Sequence, residues 1–162
     1  MKIGKVFLTA LLFILIQNNV HSQWVTIRSV PGEELYCIDF INTVTGYAAG
    51  SIPPCCSIVL KTTNEGVSWD YALHVVDGDR IECIDFINAE TGFAGTYNGK
   101  IFKTTTGGTN WTTTQIITGI DTRILKMEFI NEQTGWVGTE RGYFRTNNSG
   151  NSWNIIGLNY PP

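Results

Sequence analysis

Three carboxylates recur at one position of a repeated segment, and their types and spacing are the sharpest chemical signal in the chain. Asp39, Asp85 and Glu128 each stand before a Phe-Ile-Asn word, in Cys37-Ile38-Asp39-Phe40-Ile41-Asn42, Cys83-Ile84-Asp85-Phe86-Ile87-Asn88 and Lys126-Met127-Glu128-Phe129-Ile130-Asn131. Gathered around a channel, such a row coordinates a hard cation or divides general acid and general base work between two members. The alternative is that each carboxylate accepts hydrogen bonds from backbone amides or a nearby hydroxyl and fixes its own unit. Repetition favours this scaffolding role, because catalysis sets different residues to different tasks.

Other reactive groups are sparse. His21 falls in a segment expected to be removed, which leaves His74 as the single mature histidine, and no serine sits in a nucleophile-elbow context. Cys37, Cys55, Cys56 and Cys83 lack zinc spacing. Neighbouring Cα atoms lie about 3.8 Å apart across a trans peptide, whereas a relaxed disulfide wants roughly 4.4–6.8 Å. A bond between Cys55 and Cys56 is therefore expected to be strained. The expectation is that one of them reaches Cys37 or Cys83, or that all four stay reduced as small apolar residues. Glycine turns such as Thr106-Gly107-Gly108 precede no helix, so they are not phosphate cradles.

The elements that must position these residues follow from a longer period. Trp24, Trp69, Trp111 and Trp153 lie 45, 42 and 42 residues apart, and each interval holds the same words in the same order. After the Phe-Ile-Asn strand come Thr45-Gly46-Tyr47, Thr91-Gly92-Phe93 and Thr134-Gly135-Trp136, and then a turn closing on tryptophan. A period in the low forties with several short strands per unit is the signature of a blade array. Alternation of period two places Ile84 and Phe86 on one face and Cys83, Asp85 and Ile87 on the other, as suits a sheet between two others. Asn98-Gly99 predicts a two-residue hairpin into the third strand. Arg141-Gly142 is its counterpart in the last repeat. The first repeat instead carries four extra residues around Ser51-Ile52-Pro53-Pro54-Cys55-Cys56. Two prolines would remove ladder donors, which predicts a protruding loop.

The closing turns carry a resemblance. Thr62-Thr63-Asn64-Glu65-Gly66-Val67-Ser68-Trp69 is similar to the Asp-box, a hairpin motif of the propellers of bacterial sialidases and sortilin-like receptors. Thr104-Thr105-Thr106-Gly107-Gly108-Thr109-Asn110-Trp111 and Thr146-Asn147-Asn148-Ser149-Gly150-Asn151-Ser152-Trp153 match it too. With the Phe-Ile-Asn and Thr-Gly-aromatic words, the unit resembles the repeat of photosystem II stability/assembly factor propellers. Asn64, Thr106 and Asn148 replace the aspartate of the motif, and their oxygens still cap a turn. Its role is structural: Gly66, Gly108 and Gly150 take a backbone conformation other residues resist, and the tryptophans cover the rim between sheets. The resemblance implies a module that holds a client polypeptide during assembly. A sialidase-like activity would need clustered arginines, whereas Arg28, Arg80, Arg123, Arg141 and Arg145 are scattered. The chain is therefore read as non-enzymatic, with no cofactor and no metal.

The first 22 residues read as a signal peptide: Lys2 and Lys5, an apolar run from Val6 to Ile16, and Val20-His21-Ser22 at the cleavage spacing. The expected localisation is secreted, periplasmic or cell-surface by bacterial-type export. Without Lys2 and Lys5, nine basic residues face fourteen acidic ones, a net charge of −5. That acidity argues against nucleic acid or an anionic membrane as partner. Residues 23–162 then form an all-β partial propeller: about three four-stranded antiparallel blades, near 33–73, 79–115 and 122–157, plus an orphan N-terminal strand Trp24 to Arg28. Closed propellers use about four to eight blades, so the outer faces of the first and third are expected to lie open. Truncation of a longer propeller ranks first as the explanation, then self-association into a six-bladed ring, then an open arc.

Two binding surfaces stand out: the stiff loop carrying Pro53, Pro54, Cys55 and Cys56, and the acidic loops Pro31-Gly32-Glu33-Glu34 and Val76-Asp77-Gly78-Asp79. The latter could hold calcium, although solvated turns are the commoner explanation. The expected partner is a protein client or a second copy, with the ligand unspecified. A glycan-binding or glycoside-acting remnant is the competing class. It predicts exposed aromatics beside carboxylates, with Tyr97, Trp136 and Tyr143 to be inspected; period two assigns most of them to the core.

Overall fold

The computed structural model describes residues 30–116 and 122–158. The expected signal segment and the strand from Trp24 to Arg28 lie outside the described residues. Among the described residues twelve strands form three antiparallel four-stranded sheets, each in simple up-and-down order. The first holds β1 (Glu34–Phe40), β2 (Gly46–Ile52), β3 (Cys56–Thr62) and β4 (Asp70–Val76). The second holds β5 (Ile81–Phe86), β6 (Gly92–Thr96), β7 (Lys100–Thr104) and β8 (Thr112–Gln115). The third holds β9 (Ile124–Phe129), β10 (Gly135–Thr139), β11 (Gly142–Thr146) and β12 (Asn154–Leu158). The inner strands β1, β5 and β9 lie against one another in sequence, so the sheets are successive blades of an arc. Among the described residues no helix is long and apolar enough to cross a membrane.

Two cores fill the spaces between blades. Tyr47, Ala49 and Val59 of the first blade meet Ile81, Ile84, Phe86, Ala94 and Phe102 of the second. Cys83, Phe93 and Ile101 of the second meet Ile124, Met127, Val137 and Phe144 of the third. Each blade thus presents a trailing face to the leading face of the next, as alternation across the strands requires.

The inner strands depart from strict alternation at one position each. Ile81 pairs with Thr96 and Cys83 with Gly95, so Glu82 is an extra residue in β5. Tyr36 occupies the same place in β1 and Leu125 in β9. These bulges bring Ile81 back to the leading face with Ile84 and Phe86, and they turn the bulged side chain toward the end of the sheet.

Two hairpins differ from expectation. The β2–β3 segment is a longer hairpin whose ladder continues through Ser51–Ser57 and Ile52–Cys56, leaving only Pro53, Pro54 and Cys55 in the turn. The extra residues went into strand pairing because both prolines fall in the turn itself, where no ladder donor is lost; the Pro53–Pro54 peptide is cis. The β6–β7 connection has three residues, Tyr97 to Gly99, because the Thr96 hydroxyl takes the Lys100 amide at 3.0 Å and Gly99 turns the chain at φ 76°.

Candidate functional site

The carboxylate row joins blades. Asp39 accepts the backbone N–H of Phe86 at 2.8 Å, and Asp85 accepts that of Phe129 at 2.8 Å. Each carboxylate therefore reaches an amide of the following blade, not of its own unit as expected. The reason is register: the face that carries Asp85 is the trailing one. Burial beside Asp39 and Glu128 raises the pKa of Asp85, and the Phe129 amide partly offsets this. Glu128 has no following blade among the described residues; its carboxylate is well exposed and pairs with Lys126 at 3.5 Å.

The phenylalanines of the second and third words are held on two sides, whereas Phe40 has a ring partner on one. Tyr47 stacks on Phe86 with centroids 3.5 Å apart and Phe93 on Phe129 at 4.0 Å. Trp69, Trp111 and Trp153 stand edge-on to Phe40, Phe86 and Phe129 of their own blades at 5.9, 6.1 and 5.9 Å. The turns that deliver these tryptophans share one hydrogen-bond plan. Asn64 Oδ1 accepts the Ser68 amide at 2.9 Å, Thr106 Oγ1 the Asn110 amide at 2.9 Å, and Asn148 Oδ1 the Ser152 amide at 3.0 Å. Thr62, Thr104 and Thr146 accept the amides of Gly66, Gly108 and Gly150, which lie at φ 84°, 87° and 72°. A third contact crosses between blades, from Lys61 to the Gly107 carbonyl at 2.7 Å and from Lys103 to that of Ser149 at 2.6 Å.

The two expected binding surfaces converge on one cavity of about 200 Å³ at the end of the inner strands. Pro53 and Pro54 form one wall, Gly78 and Asp79 another, and Tyr36, Arg80 and Tyr97 line the remainder with Glu34. The Arg80 guanidinium lies 4.3 Å from the Tyr97 ring centre and 5.6 Å from that of Tyr36, a cation between two aromatic faces. Glu82, a bulge residue with only 5% of its side chain exposed, accepts Arg80 Nε at 2.6 Å and Arg123 at 2.7 Å. Arg123 also lies 6.0 Å from the Tyr97 ring centre. The Tyr36 hydroxyl donates to Glu34, which raises its pKa.

Several sequence expectations change here. Arg80 and Arg123 are not scattered, because each stands one residue before the isoleucine that opens an inner strand. Glu82 and Tyr36 were not anticipated at all. Tyr97 and Tyr143 are exposed by 41% and 53%, and Trp136 is half-buried, so none of these three is core. They escape the expected alternation because Tyr97 lies in a turn, and because Trp136 and Tyr143 belong to the trailing face of the third blade. The acidic loop carboxylates have protein partners. Asp77 takes the Ser57 hydroxyl at 3.0 Å and Lys100 at 3.2 Å, and Asp79 takes the Arg80 amide at 2.8 Å. Among the described residues no cluster of three His, Cys, Asp or Glu could hold a metal ion.

Cys55 and Cys56 are bonded to each other, with Sγ atoms 2.08 Å and Cα atoms 3.7 Å apart. The expected bridge to Cys37 or Cys83, and the all-reduced alternative, are both corrected. Both other thiols belong to inner strands: Cys37 donates to the Ala49 carbonyl at 3.7 Å, and Cys83 is buried between the second and third blades. Burial pushes both up to about 12. The Cys55 carbonyl accepts the amides of Asp77 and Gly78 at 3.0 and 2.8 Å, tying the hairpin tip to the opposite wall of the cavity.

No family model matches the chain. No curated protein matches it either. Among solved structures it is similar to "YCF48 bound to D1 peptide", with a TM-score of 0.64 and 19% identity over 76% of this chain and 41% of that one. YCF48 from Cyanidioschyzon merolae gives a TM-score of 0.57 and 18% identity over 76% of this chain and 40% of that one. The GH74 enzyme of Niastella koreensis gives 0.58 and 18% over 76% of this chain and 22% of that one. At these identities the likeness shows the fold, part of a β-propeller similar to the photosystem II assembly factor YCF48. The chain spans about two fifths of the YCF48 chains and about a fifth of the GH74 enzyme.

Proposed function

We propose that this chain is an exported, non-catalytic propeller module that holds a polypeptide at the cavity between Tyr36, Arg80 and Tyr97. The observation that carries this reading is the Arg80 guanidinium, fixed by Glu82 and flanked by two tyrosine rings in the cavity wall. A prepositioned cation beside aromatic rings recognises a carboxylate or carbonyl of a peptide at little ordering cost. The volume of about 200 Å³ suits one or two side chains or a chain end, and is small beside the several hundred Å³ of a typical small-molecule site. One of the similar YCF48 structures holds a D1 peptide, which supports a polypeptide as the class of ligand. Absence of catalysis is supported by the engagement of Asp39, Asp85 and Glu82 with amides or arginines. Export is supported by the charged and apolar start of the sequence and by the Cys55–Cys56 bond, since disulfides persist in oxidising compartments.

One observation favours the glycan reading. Tyr36 and Tyr97 stand beside Glu34 and Asp79 on one surface, and the GH74 enzyme shares the fold. Against it, Arg80 and Arg123 flank Tyr97 and Arg80 lies over Tyr36, which leaves less ring face for a sugar. The test is selection of the purified protein against a random heptapeptide library and an oligosaccharide array, with R80A and Y97A in parallel. Enriched peptides that lose binding at least tenfold in R80A support the proposal. Retention only on the oligosaccharide array, or peptide binding indifferent to both substitutions, overturns it.

A further inference from the structure

The two junctions between the described blades define a recognition rule, and the outer faces of the first and third described blades obey it. At each junction the trailing face supplies a carboxylate, an aromatic ring and a cation, as Asp39, Tyr47 and Lys61, then Asp85, Phe93 and Lys103. The leading face supplies the amide and ring of the next phenylalanine and a carbonyl of the next turn. At the same register positions the third blade carries Glu128, Trp136 and Arg145. Arg145 already lies 5.6 Å from the Trp136 ring centre, as Lys61 lies 5.4 Å from that of Tyr47 and Lys103 5.7 Å from that of Phe93. The first blade carries the matching leading face. Leu35, Ile38 and Phe40 stand where Ile81, Ile84 and Phe86 stand in the second, and they are exposed by 48%, 63% and 43% where the latter are buried.

We infer that the trailing face of the third blade docks on the leading face of the first blade of a second copy of this chain, head to tail. This goes beyond the peptide reading and does not depend on it. The donors and acceptors fit: Glu128 would accept the Phe40 amide, and Arg145 would donate to the Glu65 carbonyl, the counterparts of Phe86 and Gly107. Each trailing group is the larger member of its class, Glu for Asp, Trp for Tyr or Phe, and Arg for Lys. Larger arms with tryptophan and arginine are what an interface between separate molecules favours over the interior of one. Head-to-tail contacts build a closed ring when the rotation permits, and two copies would bring six blades together, within the usual range of four to eight.

The test is light scattering on the purified protein with variants of exposed residues on each face. Wild type is expected to run as a dimer, while I38D and the double variant E128K/R145E each run as monomers with unchanged circular dichroism. A one-to-one mixture of the two variants is expected to recover a dimer, because each keeps one intact face. A wild-type monomer, an assembly larger than two copies, a dimer that survives both substitutions, or a mixture that stays monomeric would overturn the inference. If either variant loses its folded spectrum, F40S and R145Q replace them with the same expectations.

Discussion

The carboxylate of Asp39 accepts the backbone amide of Phe86 at 2.8 Å while Tyr47, from the same blade as Asp39, stacks on the Phe86 ring at 3.5 Å. Amide and ring belong to one residue, so the two contacts fix the same strand in position and in rotation. The amide points toward the neighbouring blade, and an unfilled partner there would cost about 1–3 kcal/mol. The repeat of this arrangement at Asp85 and Phe129 makes it the means by which blades are set in register.

Asp85→Ala is expected to lower unfolding free energy by about 1–2 kcal/mol, because the Phe129 amide loses its acceptor. Asp85→Asn keeps an oxygen there and removes a charge whose burial raises the carboxyl pKa. A raised folded value means that protonation favours the native state. This contribution is present below the ordinary carboxylate range and is lost as pH rises through the raised value. Urea unfolding as a function of pH should therefore show the wild type losing stability just above the ordinary range, while Asp85→Asn does not.

Gly92→Ala and Gly46→Ala should differ although their local words are the same. An added Cβ would lie 2.5 Å from the Phe86 ring in the first case and 2.7 Å from the Phe40 ring in the second. Phe86 has Tyr47 stacked on it and Trp111 at its edge, so it has little room to retreat, whereas Phe40 is exposed by 43%. Overpacking at Gly92 is expected to cost about 1–3 kcal/mol and at Gly46 less than half as much, read from urea midpoints in dilute solution.

The blade plan was legible because Trp69, Trp111 and Trp153 recur with Phe40, Phe86 and Phe129, and their spacing encodes sheet length directly. The cavity was not, since it depends on bulges at Tyr36 and Glu82 that break alternation, and alternation was the means of assigning faces. A usable signal did exist. Counting back the same six positions from each phenylalanine aligns Glu34, Arg80 and Arg123, which the unequal spacing from the preceding tryptophans conceals. The Cys55–Cys56 bond was unreadable for another reason: general bridge geometry disfavours neighbours, and sequence alone carries no distance from either of them to Cys37 or Cys83, which the structure leaves as free thiols.

The thiols of Cys37 and Cys83 should be silent in the native state. Burial pushes both up to about 12, so almost no thiolate exists at pH 8, where an ordinary cysteine is substantially ionised. Treatment with a chromogenic disulfide reagent at pH 8 is expected to release no colour over minutes, and two equivalents after unfolding in urea. Rapid release from the folded protein would mean that the gap between the blades opens.

Glu82→Gln separates the role of the cavity from that of the fold. The carboxylate is nearly fully buried and serves two arginines whose side chains are 40% and 37% exposed. Loss of its charge leaves Arg80 and Arg123 facing each other with only neutral acceptors, and their partial exposure lets water compensate in part. The expected stability cost is accordingly about 1–3 kcal/mol, below the range for a fully buried pair. The effect on peptide capture should be larger in proportion, because Arg80 loses the group that holds it between Tyr36 and Tyr97. Fluorescence titration with an enriched peptide, at a temperature where Glu82→Gln is folded, should show at least tenfold weaker binding. Unchanged affinity would assign Glu82 to the blade junction alone and move recognition away from Arg80.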